Sequence, residues 1–149
     1  MTPTLHLAQL EDIPVLCTLM EEFYALDGYP FDEARSEQNL RQFLTQEHLG
    51  RFWRVEIEGV LAGYLALAFG FSFEYGGRDA FIDEFFLKEK YRGQGMGTQL
   101  IALVTQEAEL LGVKALHLEV EMHNISGNRL YQKTGFQGSG RTLLSKRLD

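Results

Sequence analysis

The amino-acid sequence predicts an α/β fold in which helices cover a β-sheet, and three stretches carry that prediction. Residues 51–58 alternate, with Trp53, Val55 and Ile57 on one face and Arg54, Glu56 and Glu58 on the other, and the more apolar run 60–71 follows Glu58-Gly59. Alternation, a short glycine turn and a returning apolar run describe an antiparallel hairpin. Residues 80–87, Ala-Phe-Ile-Asp-Glu-Phe-Phe-Leu, form another mostly apolar run, and beyond it Leu100, Ile101, Val104, Ala108 and Leu111 recur at helical spacing. Gly112 supplies a C-cap and residues 115–120 return to strand character, which completes a strand-helix-strand unit.

The remaining elements follow from the same periodicities. Thr4 to Ala8 alternate as a first strand, and Glu11-Asp12 place negative charge at the start of a helix that runs to about Leu26. Ile13, Leu16, Met20 and Phe23 form its inward stripe, Cys17 falls in the same apolar-periodic segment as core, and Asp27-Gly28-Tyr29-Pro30 ends it. A second helix turns Leu40, Phe43 and Leu44 inward. Tyr75-Gly76-Gly77-Arg78 is the next turn. A short helix from about Ser126 to Thr134 ends at Gly135, and Phe136 onward reads as a closing strand. The predicted order is β-α-α-β-β-β-α-β-α-β in one domain of 149 residues, long enough to bury a core without disulfides or metal.

Tyr91-Arg92-Gly93-Gln94-Gly95-Met96-Gly97-Thr98 sits at the corner between the 80–87 run and the following helix. Glycine admits positive φ and close approach of a ligand, and a helix start offers unpaired N–H groups at the positive end of its dipole, so the corner suits a pyrophosphate. A P-loop requires a Lys-Ser/Thr pair that does not follow Gly97, and a dinucleotide fingerprint requires glycine where Thr98 stands, although Glu119 imitates its ribose-binding acid.

Composition narrows the classes further. A net charge of −7 argues against a surface built for nucleic acid, and no run of apolar residues is long enough to span a membrane. The first ten residues lack a secretory leader pattern, so a cytoplasmic location is expected. Four histidines and a single cysteine show no metal-ligand spacing, and no metal is expected.

What remains of the glycine corner is Arg-x-x-Gly-x-Gly after a strand, which resembles the acetyl-coenzyme A signature of the GNAT superfamily of N-acetyltransferases. A second segment, Asn124-Ile125-Ser126-Gly127-Asn128-Arg129-Leu130-Tyr131-Gln132-Lys133-Thr134-Gly135-Phe136, resembles that family's Asn-x-x-small-x-x-Leu-Tyr-x-x-x-Gly-Phe pattern, with Gly127 where alanine or serine is commoner. The resemblance spans roughly residues 52–148 and implies the GNAT acyltransferase fold, a central mixed, largely antiparallel sheet flanked by helices. It also implies acetyl-coenzyme A as cosubstrate and direct transfer of acetyl to an amine, with no covalent enzyme intermediate.

Site roles follow from the resemblance residue by residue. Backbone at Phe86 and Leu87 would pair with the pantetheine arm where the 80–87 and 115–120 strands splay. Amides of Gly93, Gln94, Gly95, Met96, Gly97 and Thr98 would hold the pyrophosphate, Arg92 would add positive charge, and Asn124 would contact the arm. Tyr131 matches the tyrosine facing the departing sulfur. The segment from Ile82 to Gly93 is similar to spermidine/spermine acetyltransferases, in which a glutamate aligned with Asp83 is a proposed base; the shorter aspartate here points to an intervening water or another acceptor. Regular alternation would send Asp83 and Glu84 to opposite faces, leaving at most one of them in a pocket, with Glu84 a candidate substrate-orienting acid. Tyr24, Asp27, Tyr29 and Phe31 could rim an acceptor site for a cationic amine.

The expected function is transfer of acetyl to a primary amine of a small molecule. A protein or peptide N-acetyltransferase and a non-catalytic acyl-coenzyme A sensor are the alternatives, with a Rossmann-type oxidoreductase more distant. Residues 141–148 could supply an edge for a homodimer.

Overall fold

A computed structural model describes residues 1–149, and its elements follow the expected order as far as residue 133. The first strand, β1, is Pro3–Leu7, and α1 is Ile13–Leu26. Helix α2 is Glu33–Thr45, capped by Asp32, whose carboxylate accepts the Arg35 N–H at 3.1 Å. Strands β2 (Gly50–Ile57), β3 (Val60–Ser72) and β4 (Gly77–Leu87) then run antiparallel in sequence. Helix α3 is Met96–Leu110, β5 is Leu116–His117 and α4 is Ile125–Lys133. The strands lie in the order β1-β2-β3-β4-β5, with only the β4–β5 pair parallel, so the sheet is mixed and largely antiparallel. The backbone falls into two compact units, Met1–Glu119 and Val120–Asp149.

Local sequence explains the main joints. Glu58 and Gly59 take φ of 52° and 76°, the two left-handed positions of a tight hairpin turn between β2 and β3. Gly112 takes φ of 78° just past α3, where the Val113 N–H returns to the Ala108 carbonyl at 3.0 Å and closes the helix.

Both faces of the sheet in the first unit are covered. One face packs Tyr64, Ala66 and Phe86 against Ile13, Leu16 and Leu40 of α1 and α2. The other packs Val55, Ile57 and Leu87 against Met96 and Leu100 of α3. Cys17 is buried in the first of these clusters, as its apolar setting predicts. Strand β2 is covered on both sides, because Phe52 joins the α1–α2 cluster while Val55 and Ile57 serve the other.

Two expected strands are corrected. Only Leu116 and His117 of the expected 115–120 strand pair with β4, opposite Ala80 and Phe81. The ladder stops where β4 bulges at Asp83, two residues past Phe81, and a bulge bends its strand and breaks pairing. No strand forms after Phe136. That segment opens on Gln137-Gly138-Ser139-Gly140 and then carries Leu143 and Leu144 side by side, so it lacks the alternation that gives a strand a buried face; both leucines and Leu148 are exposed.

Candidate active site

The bulge in β4 organises the first half of the site. Ala66 stands opposite Glu84 and Leu67 opposite Ile82, so Asp83 is an extra residue without a cross-strand partner. Inserting one residue resets the alternation, and two consecutive side chains emerge on one face. Asp83 and Glu84 therefore both line a cleft of about 210 Å³ between the sheet and the two N-terminal helices. This overturns the expectation that they must face apart, which holds only for a regular strand.

The cleft is walled by Met20 and Tyr24 of α1, by Ser36, Asn39, Leu40 and Phe43 of α2, and by Phe52 of β2. Its floor is Ala66 and Ala68, whose small side chains leave the space open. Asp27 and Tyr29 are exposed on the loop after α1 and are not among the residues lining it. Phe31 packs edge-on against Tyr24, with ring centres 5.7 Å apart.

Glu84 is held from two sides. The Tyr24 hydroxyl donates to its Oε2 at 2.6 Å and the Tyr64 hydroxyl to its Oε1 at 2.8 Å. Burial raises the Glu84 carboxyl above its ordinary value, the two phenol donors pull it back, and the charge of Asp83 raises it again. Both phenols are themselves held far above the usual tyrosine range by burial and by Glu84, so they keep their protons and remain donors. Tyr64 is fully buried and was not singled out by sequence, where it reads as one apolar residue in a strand. Asp83 keeps more of its surface in water, yet burial of its carboxyl in the cleft wall raises it too.

Past the bulge, the edge of β4 is open. The Lys88 N–H donates to the Ala62 carbonyl at 2.8 Å, so by antiparallel alternation Phe86 also turns its backbone toward β3 while Phe85 and Leu87 turn theirs away. Of Phe86 and Leu87, it is Leu87 that presents an N–H on the side where β5 does not reach; the ring of Phe86 lies in the core. The Leu87 carbonyl is taken by Arg92, whose Nε donates to it at 2.7 Å while its guanidinium lies 5.6 Å from the Phe86 ring centre. Arg92 thus anchors the strand end to the glycine turn.

The turn itself is built for close approach. Gly93 and Gly95 take φ of 72° and 82°, and a Cβ at either would meet nothing within 4 Å, so the space over them is clear. Gly95 is the N-cap of α3 and has no side chain to cap it, which leaves first-turn N–H groups, including those of Gly97 and Thr98, for an anion. Met96 is buried and pins the helix start, so only its backbone can take part. Gln94 is exposed and its amide donates to the Lys90 carbonyl at 2.7 Å. An uncapped helix start beside a strand edge with a free N–H fits the pyrophosphate and the amide-bearing arm of coenzyme A.

In the second unit, the Asn124 side chain caps α4 by accepting the Gly127 N–H at 2.9 Å. A Cβ at residue 127 would come within 2.5 Å of the Asn124 amide nitrogen, so the capping side chain would have to shift to admit a larger residue there. Tyr131 packs edge-on against Phe136, with ring centres 5.9 Å apart, and burial raises its phenol so that it holds its proton.

Comparison with known proteins agrees with this geometry. Residues 15–136 match the profile of the Acetyltransferase (GNAT) family. The chain is 38% identical over 89 residues to the spermine/spermidine N(1)-acetyltransferase of Bacillus subtilis (strain 168), covering 56% of this chain and 57% of that protein. The chain spans about half the length of the curated relatives it matches. Among solved structures, an integron cassette protein from the mobile metagenome of Cole Harbour Salt Marsh superposes with a TM-score of 0.87 at 35% identity, over 97% of this chain and 90% of that one. A predicted acetyltransferase from Clostridium acetobutylicum, solved with acetyl-CoA, shares the fold with a TM-score of 0.80 at 19% identity, over 97% and 96% of the two chains. The site and the matches converge: this chain belongs to the acetyltransferase (GNAT) family.

Proposed function

We propose that the protein is an acetyl-coenzyme A-dependent N-acetyltransferase that moves acetyl directly to the primary amine of a small molecule. The observation that carries this reading is the β4 bulge. It sets two carboxylates in one cleft, on the same strand whose end offers an open edge beside the glycine turn. When bound, acetyl-coenzyme A supplies an activated acetyl group. In this reading the amides from Gly93 to Thr98 hold the pyrophosphate, Asn124 contacts the pantetheine arm, and the Leu87 N–H polarises the thioester carbonyl. Asp83 takes the proton from the incoming ammonium, directly or through one water, because an amine attacks only with its lone pair free. Glu84, fixed by its two tyrosines, orients the amine.

Tyr131 is the proposed proton donor to the departing thiolate. Full transfer from a phenol of ordinary pKa to a thiolate is uphill by about 2 kcal/mol, and burial of Tyr131 adds to that, so hydrogen bonding to the developing charge is the larger share of its role. Thiol release from acetyl-coenzyme A is expected to depend on added primary amine and to fall roughly ten-fold in Tyr131→Phe, less than the loss of a full proton-transfer group, because hydrogen bonding carries most of its role. Thiol release that ignores the amine, or that requires a peptide N-terminus, rejects the small-molecule assignment.

The proposal includes a homodimer formed through residues 141–148, where Leu143, Leu144 and Leu148 are exposed. Light scattering is expected to give twice the chain mass. A monomer at micromolar concentration counts against the pairing.

A further inference from the structure

The composition of the cleft bears on which amines it accepts. Its apolar wall is Met20, Leu40, Phe43 and Phe52 over an alanine floor, its polar rim is Ser36 and Asn39, and its charged residues are Asp83 and Glu84. No arginine or lysine lines it. Arg35 is near enough to influence the Tyr24 phenol but does not line the cleft. Glu84 cannot swing away to relieve a mismatched ligand, since both of its oxygens are tied to phenols that come from α1 and from the buried centre of β3. A ligand entering this cleft therefore meets fixed negative charge at one place and hydrocarbon around it, with no cation in the lining to pair with an anion.

From this we infer that the acceptor is a carboxylate-free primary amine on an apolar stem, an alkylamine or aralkylamine, and that Glu84, held by Tyr24 and Tyr64, is the residue that excludes α-amino acids. This rests on the reading of the cleft as the acceptor site. With an ammonium set against Asp83 and Glu84, the carboxylate of an α-amino acid, bonded directly to the carbon that bears the nitrogen, is forced beside the same two acids. Like charges at such separation in a partly desolvated site repel strongly, and no lining cation offsets them. An amide at that position is neutral and is tolerated.

Three ligands of matched stem separate charge from bulk: phenethylamine, phenylalanine and phenylalaninamide. Calorimetric titration of the whole chain is expected to show phenethylamine and phenylalaninamide binding at least ten-fold more tightly than phenylalanine. Glu84→Gln is expected to weaken phenethylamine and to narrow its preference over phenylalanine, with Asp83→Asn as the parallel variant should the first unfold. Phenylalanine binding as well as phenethylamine, failure of phenethylamine to bind, or rejection of phenylalaninamide together with phenylalanine overturns the inference. Thiol release is scored separately: an amine that binds with the expected preference but is never acetylated sinks the acetyltransfer reading and leaves the inference about ligand charge standing.

Discussion

Asp83→Asn is expected to lower kcat/KM for the amine by roughly 100-fold, the low end of what a positioned general base contributes, while leaving acetyl-coenzyme A affinity unchanged. The variant keeps the size and polarity of the side chain and removes only its ability to take a proton. The pH profile gives the sharper readout. Burial raises the Asp83 carboxyl above the ordinary aspartate range, so the ionised base is depleted at a higher pH than an exposed aspartate would be. The wild-type rate should fall as pH drops through that raised value, and the acid limb should disappear from the residual rate of Asp83→Asn. The asparagine also removes a charge that raises Glu84, whose carboxyl should fall toward the range set by its two phenol donors. An unchanged acid limb in the variant assigns the limb to another group and removes Asp83 from the proposed base role.

Gly63→Ala is expected to destabilise the sheet strongly through a single added methyl. An added Cβ would overlap the Phe86 carbonyl oxygen at 2.0 Å and meet the Leu87 Cα at 3.0 Å. Both contacts are backbone, so no side chain can rotate away and β4 itself has to shift. Overpacking of this kind costs about 3 kcal/mol, which for a chain of this size lowers the melting temperature by roughly 10 °C. The displaced segment is the one that carries the Leu87 N–H, so acetyl-coenzyme A binding should weaken along with stability. Thermal unfolding and cofactor titration on the same preparation test both consequences. A melting temperature within a degree or two of wild type shows that β3 and β4 have slack at this point and do not approach each other closely there.

Much of this molecule is legible in the sequence because its regular elements have clean periods. The 3.6-residue stripe from Ile13 through Phe23 and the period-two alternation from Trp53 to Ile57 both correspond to real buried faces, and the glycine corner lies where a strand meets a helix. The cleft is harder to read because it depends on a break in period. Counting by twos from Ala80 separates Asp83 from Glu84; only the register against Ala66 and Leu67 reveals the extra residue that joins them. Tyr64 was invisible for a related reason. It sits in an apolar strand and reaches Glu84 only through tertiary pairing, 20 residues away in sequence, while Tyr24 comes from 60 residues away. Leu118 and Glu119 continue a strand-forming run but lie past the paired residues Leu116 and His117, since strand propensity measures fit to a sheet that must actually be there.

Acetyl is proposed to pass directly from coenzyme A to an amine, and isotope-labelled acetyl-coenzyme A follows the group itself. After a single turnover with phenethylamine, label is expected in the N-acetylated amine in step with released thiol, and none covalently held by the protein. Label lodged on the protein, or released as acetate whether or not the amine is present, would contradict it.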